Sequence, residues 1–497
     1  MKKISLYNTL SRKKEEFNPL NPGSLSFYYC GPTVYWTQHI GNLRGSYCAD
    51  IVHRTFKYLN YDVSMVRNYT DVGHLTSDED EGEDKIEKSA KKENLSPDEV
   101  ALKFINIYEK DTKELNILEP KFKPKATENI TEMIEMIQLL IAKGYAYATD
   151  LAIYFEVSKF KDYNKLSGRK PEKNKAGAGQ GAVSDSKKKD PRDFSLWFFR
   201  AGEHKNALQF WPSPFFSPLV ENGDGFPGWH LECSAMIKKF LGETIDIHMG
   251  GIEHVSIHHS NEIAQSEAAN RAKFVNYWLH NEHLLVDSGK MSKSQGTAFS
   301  LADIKAKGFS PMSLRYFFLQ AHYRSQQNFT FEALKASQKG LTGTLNKLKK
   351  MKNNIKVDDK DFDSEDVDNF YNPDLVSGDF KLKFLEYLLD DFNAPKTLAL
   401  ISEILKSDLS DREKLATILD FDSVWGLDLY SSLKKDVDSG VLDFSNLAED
   451  VRLIIEDRTR AKERKDFDRS DELRLKLEDM GYKVEDLPDN KMTLSFK

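Results

Sequence analysis

Three cysteines stand in this sequence, and two of them keep company that can do chemistry. Cys233 lies in GWHLECSAM and is followed by IHHSNEIAQSEAA, where His258 and Glu262 are four residues apart. In a helix these two side chains share one face. With Cys30, in FYYCGP, they make two thiolates, an imidazole and a carboxylate. Such a set can complete a tetrahedral zinc site. Cys30 and Cys233 are too far apart for a zinc-finger knuckle, so the fold must bring them together. His248, His254 and His259 compete for the imidazole position, and spacing does not choose among them. The plainer reading of the same residues is two buried thiols and a His/Glu pair at ordinary helix spacing.

A second constellation handles phosphate. Residues 289–296 read GKMSKSQG: two lysines three apart among small residues, flanked by glycines. A cationic loop of this kind can close over a polyphosphate and neutralise charge as it leaves. The stretch FYYCGPTVYWTQHIGN, residues 27–42, supplies the other half. Phe27, Tyr28 and Tyr29 read as a buried strand that Gly31-Pro32 breaks, and a helix starts near Gly41 and Asn42. Strand, loop and helix N-terminus form an anion site through free N–H groups and the helix dipole. His39 stands beside that turn.

These residues need a frame. Residues 42–60 read as a helix carrying Cys48 among core positions, and Asp62 to Tyr69 as a second strand. Strand, helix, strand implies a parallel sheet. Residues 97–115 and 127–143 read as amphipathic helices, the first opened by Ser96-Pro97, and Tyr145 to Val157 as paired short strands. Ser77 to Asp84 is acidic, and residues 165–190 are rich in Lys, Gly and Ser, a solvated loop. The α/β pattern returns with a helix over 230–241, a strand over 245–249, a helix over 259–272 and a strand over 274–279. A long segment is thus inserted between two halves of one sheet. From about Phe331 the chain reads as helices, with an acidic break at Val357 to Asp368. A strand pair closes it, Tyr482–Glu485 and Met492–Phe496. No internal repeat is evident.

Composition sets the outer limits. At 497 residues, with 40% hydrophobic and 30% charged residues, the chain holds two to four globular domains. No apolar run is long enough to span a bilayer, and the basic N-terminus lacks the apolar region of a signal peptide. Three cysteines make no disulfide framework and fit a reducing compartment, so a cytoplasmic protein is expected. A net charge of −7 gives no general affinity for nucleic acid, so RNA contacts would need local patches.

Together the two signatures carry a resemblance. His39-Ile40-Gly41-Asn42 resembles the HIGH motif of class I aminoacyl-tRNA synthetases, and Lys290-Met291-Ser292-Lys293-Ser294 is their KMSKS motif letter for letter. With the cysteines placed as they are, the chain resembles the cysteinyl-tRNA synthetases over nearly its whole length. YYCGPTVY, RNYTDVGH, PGWHLECSAM, HHSNEIAQSEA, VNYWLH and KMSKSQGT follow in order, and RAKERKDFDRSDELR resembles the anticodon-domain helix.

The resemblance implies a Rossmann-like, parallel-sheet α/β catalytic domain over 1–330. It would carry a connective insertion at about 75–228 and the KMSKS loop at 289–296. A helical bundle over 331–432 and a small C-terminal anticodon-binding domain over 433–497 would follow. It implies Cys30, Cys233, His258 and Glu262 as ligands of one Zn²⁺ per chain, and Thr70, Trp229 and Glu253 as the cysteine pocket. His39, Lys290 and Lys293 would be the catalytic phosphate contacts. Gly41, Asn42, Met291, Ser292 and Ser294 would complete the ATP site. Arg458, Arg464 and Phe467 would be the tRNA contacts. A second basic cluster, Lys347, Lys349, Lys350 and Lys352, lies in a predicted helix. The motif departs from HIGH in ending at Asn42, and Glu253 stands where aspartate is expected.

The implied activity joins L-cysteine to tRNA(Cys) through an adenylate made from ATP with Mg²⁺, in a monomer with no membrane contact. Two other readings use the same residues. One is a cysteine ligase acting on a small amine such as an amino sugar, a kind that lacks the C-terminal region. The other is a zinc-stabilised RNA-binding protein without catalysis, which has no use for the two lysines.

Overall fold

Ser24–Tyr29 (β1), Ile40–Tyr58 (α1) and Asp62–Arg67 (β2) form the first strand–helix–strand unit of the structure, a computed structural model. It describes residues 3–72, 85–168, 185–287, 289–290, 296–358, 371–434, 447–486 and 492–496. Trp229–Phe240 (α2) leads into the second unit, Ile245–Gly251 (β3), His258–Asn270 (α3) and Val275–Asn281 (β4). The four strands are parallel, in the order β4-β3-β1-β2. The reason is visible in β1 and β3. Leu25, Phe27, Tyr28, Ile245, Ile247 and Met249 are all buried, the nearly continuous apolar pattern of strands covered on both faces. In register, Val66, Tyr28, His248 and Trp278 run in one row across the sheet. The order reverses between β1 and β3. Open α/β sheets bind ligands beyond the carboxyl ends at such a switch point.

The connections follow ordinary rules. His39 caps α1, its Nδ1 accepting the Asn42 N–H at 3.2 Å. Ser96 and Glu99 form a reciprocal capping box on the helix Pro97–Glu114. Between β2 and α2 the described chain adds helices Lys85–Glu93, Pro97–Glu114 and Ile130–Ala142. An antiparallel sheet follows, made of Ala146–Ala148, Ala152–Phe155, Phe194–Phe199 and Gly225–Pro227. After β4 the strands Leu284–Val286, Gly289–Lys290 and Gln327–Phe329 form a small mixed sheet. The acidic stretch 77–84, residues 169–184 of the Lys/Gly/Ser-rich segment and most of the acidic break after Val357 lie outside the described residues.

Two compact units divide the chain. One comprises residues 1–344 with 371–427, the other residues 345–370 with 428–497. The second has its own core of Val451, Ile454, Leu473, Leu477, Val484 and Leu494, formed by the helices Glu449–Glu463 and Phe467–Asp479 and a terminal hairpin. Among the described residues no helix is long and apolar enough to cross a membrane.

The helix α1 is buried almost all round, although it carries Arg44, Asp50 and Arg54. Buried charges persist when paired. Asp50 accepts from Arg54 Nε at 2.8 Å, from Arg315 at 2.5 Å and from the Leu118 N–H at 2.8 Å. Burial pushes its carboxyl up, but Arg54 and Arg315 outweigh this and hold it below the ordinary aspartate value. The stability this carboxylate brings is therefore complete above the ordinary carboxylate range. It is lost only as pH falls through the depressed value of the folded protein. Arg315→Met is expected to cost about 3–5 kcal/mol and to move the acid loss to higher pH. Urea unfolding of the two proteins at several pH values measures both effects.

Candidate active site

Cys30 sits where β1 ends, and Gly31 turns the chain so tightly that any side chain there would collide with the Asn68 carbonyl. The Gly31 N–H donates to Asn68 Oδ1 at 2.8 Å. Cys233 comes from α2, and His258 and Glu262 from the first turns of α3. The switch point thus gathers all four. Cys30 Sγ lies 4.0 Å from Cys233 Sγ and 4.0 Å from Glu262 Oε1; His258 Nε2 lies 3.6 Å from Cys233 Sγ and 3.0 Å from Glu262 Oε1. Ligands about 2.0–2.3 Å from a tetrahedral centre stand about 3.3–3.8 Å from one another. The observed separations, 3.0–4.0 Å, bracket that figure and need shifts of only a few tenths of an ångström to meet it, and two thiols with an imidazole and a carboxylate suit zinc chemically.

A second set, Cys30, His248, His259 and Glu262, meets the same distance limit. One observation separates the sets. Cys30, Cys233 and His258 line a cavity of about 420 Å³ in which a substrate can sit, whereas His248 and His259 do not line it. His248 Nε2 lies 2.7 Å from Glu262 Oε2; His259 has its Nδ1 2.7 Å from His280 Nε2 and its Nε2 3.4 Å from Cys30 Sγ. His248 therefore orients the carboxylate from behind. His230 does the same for His258, their Nδ1 atoms being 2.9 Å apart. Such outer partners fix ring orientation and tune the ligand. They carried no distinct signal in the sequence, because a bonded histidine in a strand or helix looks like any core histidine. His230→Leu is expected to weaken metal binding about 10–100-fold, measured by competition with a metal-binding dye.

Electrostatics agree with a cation site. Burial works to raise the Glu262 carboxyl, yet His248 and His258 outweigh it and hold it down at about 2. Burial disfavours the His258 imidazolium, but the Glu262 charge lifts it to about 10. The Cys30 contact pulls the Cys233 thiol below its usual value against burial, while burial and Cys233 push Cys30 up. Cys48, buried in α1 and pushed up to about 11 by burial, plays no part, as its core spacing predicts.

The pocket residues fall around the same cavity. Thr70, Trp229 and Glu253 all line it, with Gly31, His39, Gly41 and Asn42. Thr70 is buried, and its hydroxyl donates to Glu232 Oε2 at 2.8 Å. The Trp229 ring packs on His258 at 4.3 Å between centroids. Glu253 is exposed at the rim, 3.7 Å from His283 Nδ1. Asn281, at the end of β4, also lines the cavity, and its buried carboxamide oxygen has no hydrogen-bond partner.

The helix start differs from expectation. Three of its N–H groups are already spent: Ile40 on the Phe299 carbonyl at 2.8 Å, Asn42 on His39 Nδ1 and Leu43 on the His39 carbonyl at 3.1 Å. Gly41 and the His39 ring line the cavity at this end of α1, and the capping bond puts the proton of a neutral imidazole on Nε2. Lys290 has its backbone in the strand Gly289–Lys290. Met291, Ser292, Lys293 and Ser294 lie outside the described residues.

In the second unit Arg464 and Phe467 are exposed at the turn between two helices, Phe467 with 65% of its surface open. Arg458 is a correction. It is fully buried, donating to both oxygens of Asp486 at 2.8 and 3.0 Å and to the Ser470 carbonyl at 3.2 Å, so its guanidinium faces the core and not RNA. Lys352 is corrected likewise: it is buried and donates to the Leu433 carbonyl at 2.5 Å.

A family model described as tRNA synthetases class I (C) catalytic domain matches residues 16–339. A cysteine–tRNA ligase of Treponema denticola is 40% identical, covering 97% of this chain and 98% of its own. One of Thermus thermophilus is 37% identical, with 97% of each chain covered. Among solved structures, Agrobacterium radiobacter LeuRS in a ternary complex with tRNA and LeuAMS aligns at a TM-score of 0.59. It shares 10% identity and covers 84% of this chain and 86% of its own. Mycobacterium tuberculosis methionyl-tRNA synthetase with methionyl-adenylate aligns at 0.52 with 13% identity, covering 83% and 92%. The structural likenesses speak for the fold alone. The family match and the full-length identities carry more: this chain belongs to the cysteine–tRNA ligases, within the class I aminoacyl-tRNA synthetases.

Proposed function

We propose that the protein activates L-cysteine with ATP and transfers it to tRNA(Cys), choosing cysteine through a zinc ion held by Cys30, Cys233, His258 and Glu262. The observation that carries this reading is the convergence of those four donors, three of which (Cys30, Cys233 and His258) line the cavity that His39 borders. In the first step the cysteine carboxylate attacks the α-phosphorus of ATP and pyrophosphate leaves. In the second a terminal ribose hydroxyl of the tRNA attacks the activated carbonyl, and AMP leaves. Neither step needs a covalent bond to the enzyme, so the chain's work is positioning and charge stabilisation.

His39 donates through Nε2 to the triphosphate, backed by the dipole of α1. Lys290 and Lys293 stabilise the charge that develops on pyrophosphate. Gly41 and Asn42 line the path of the triphosphate, with Met291, Ser292 and Ser294 carrying the lysines. Thr70, Trp229 and Glu253 surround the amino acid. Mg²⁺ arrives with ATP. Zinc held by Cys30, Cys233, His258 and Glu262 would supply a Lewis acid that prefers a thiolate to a neutral hydroxyl, which would separate cysteine from the near-isosteric serine.

The division of labour follows the proposed domains: catalysis in 1–330, a helical bundle over 331–432 and anticodon reading in 433–497, in a cytoplasmic monomer. Arg464 and Phe467 are the RNA contacts. Phe467→Ala is expected to reduce tRNA charging about tenfold, within the worth of one stacked base, and to leave cysteine-dependent exchange intact. Parallel charging and exchange assays check it.

The test of the whole reading is cysteine-dependent ATP–pyrophosphate exchange, with serine as control and metal content measured on the same sample. Exchange with cysteine only, in protein carrying zinc, supports it. No exchange in folded, zinc-loaded protein overturns it.

A further inference from the structure

Arg44 lies in the second turn of α1 and is 1% exposed. It is absent from the cavity lining, so it does not touch a ligand there. Its guanidinium nonetheless makes four hydrogen bonds. Nε donates to Gln327 Oε1 at 3.1 Å, Nη1 to the Glu282 carbonyl at 2.5 Å, and Nη2 to the His322 carbonyl at 3.3 Å and the Ser325 carbonyl at 2.9 Å. Four of its five N–H groups are spent, and all four acceptors are neutral oxygens.

This is a costly way to fill space. Burying a cation against neutral acceptors stabilises a fold less than an apolar residue of similar volume does. What the arrangement supplies is geometry, since a planar fork holds several partners at fixed angles. The partners are telling. Glu282 follows the last residue of β4 and precedes the strand Leu284–Val286, which pairs with Gly289–Lys290 through Leu285 and Lys290. Gln327 opens the third strand of that sheet, opposite Leu284, and its own Nε2 donates to the Phe317 carbonyl at 2.6 Å. The first turn of α1 is held from its other side, where Ile40 N–H meets Phe299 and His39 bridges Ser300.

We infer that Arg44 is a positioning residue for the activation step: it locks the helix that presents His39 to the strand pair Leu284–Val286 and Gly289–Lys290, whose last residue is the first lysine of the motif. The inference rests on the phosphate roles proposed above. A lysine at position 44 keeps the charge but cannot hold four oxygens. Gln327→Leu removes one of the four acceptors and spares the arginine.

The experiment is steady-state pyrophosphate exchange with Arg44→Lys and Gln327→Leu full-length protein. Metal content, thermal midpoint and an active-site count from the adenylate burst are measured alongside. The expected result is a fall in kcat per active site of about a hundredfold for Arg44→Lys, as a displacement of about 1 Å produces, and a smaller fall of the same kind for Gln327→Leu. The KM for cysteine and the metal content stay at the parental values. Unchanged kcat per active site in both variants overturns the inference. So does a loss that disappears when rates are divided by the active-site count, because that is stability alone. If Arg44→Lys fails to fold, Gln327→Leu decides by the same criterion. Absence of exchange in the parent protein would instead defeat the proposed function.

Discussion

Cys233→Ser protein is expected to fold, to lose its bound metal and to lose cysteine-dependent pyrophosphate exchange by roughly a thousandfold or more, since loss of a mere outer partner costs about 10–100-fold. Serine keeps the volume and polarity of the position, so α2 and the packing of Met236 and Ile237 beneath it are retained. What disappears is a sulfur ligand whose thiol lies below its usual pKa beside Cys30. A hydroxyl at that point stays protonated and makes a poor metal ligand near neutral pH. The same change should weaken the discrimination of cysteine from serine, because what remains of the cavity selects by shape. Metal analysis, far-UV circular dichroism and exchange with each amino acid read the three parts. Retained metal together with retained cysteine exchange would shift the ligand set to the neighbouring His248–His259 group.

The second large effect is expected at His39, where two roles can be separated. His39 caps α1 through Nδ1 and faces the cavity. Alanine removes both functions: about 1 kcal/mol of helix capping and a donor aimed at developing charge, the loss of which costs about 10²–10³ in kcat. Asparagine is among the best N-caps, and its short amide restores the cap without reaching as far. His39→Asn should therefore have the thermal midpoint of the parent protein and nearly the catalytic defect of His39→Ala. Equal activity of His39→Asn and the parent would assign the ring to capping alone. The Asn42 side chain, which replaces the usual final histidine of the motif, is exposed at the same turn and provides no second imidazole.

How much of this was legible depended on whether a residue's neighbours in sequence reveal its neighbours in space. The strands of the central sheet and the start of α1 were legible because apolar runs and Gly-Pro breaks are local signals. His258 and Glu262 were legible because helix geometry alone puts them on one face. Their meeting with Cys30, more than two hundred residues away, was not derivable from spacing and came from the family pattern. Phe194–Phe199 was missed although its residues FSLWFF form a buried strand. It follows a long polar segment and has no alternation of its own, so no local period marks it as a strand. Arg458 was misjudged for the opposite reason. The buried positions Val451, Ile454, Ile455, Arg458 and Ala461 recur at helical spacing, so its place on the apolar stripe was written in the sequence. Lys352 repeats the lesson between Leu348 and Ile355. His248 was legible only as a competitor for the imidazole position and His230 not at all, since their value lies in a bond to a ligand and not in their own position.

Cys30 and Cys233 are 203 residues apart, with the insertion between them. Chains emerge from the ribosome at about 5–20 residues per second. The first sulfur of the proposed metal site therefore waits roughly 10–40 seconds for the second at those speeds, and slightly longer for Glu262. Metal loading must come late in biosynthesis, after the insertion has been made and β3 has found its place beside β1. A nascent chain halted within the insertion has β1 and α1 but no means to hold the ion, and starvation for zinc would strike finished chains and not growing ones.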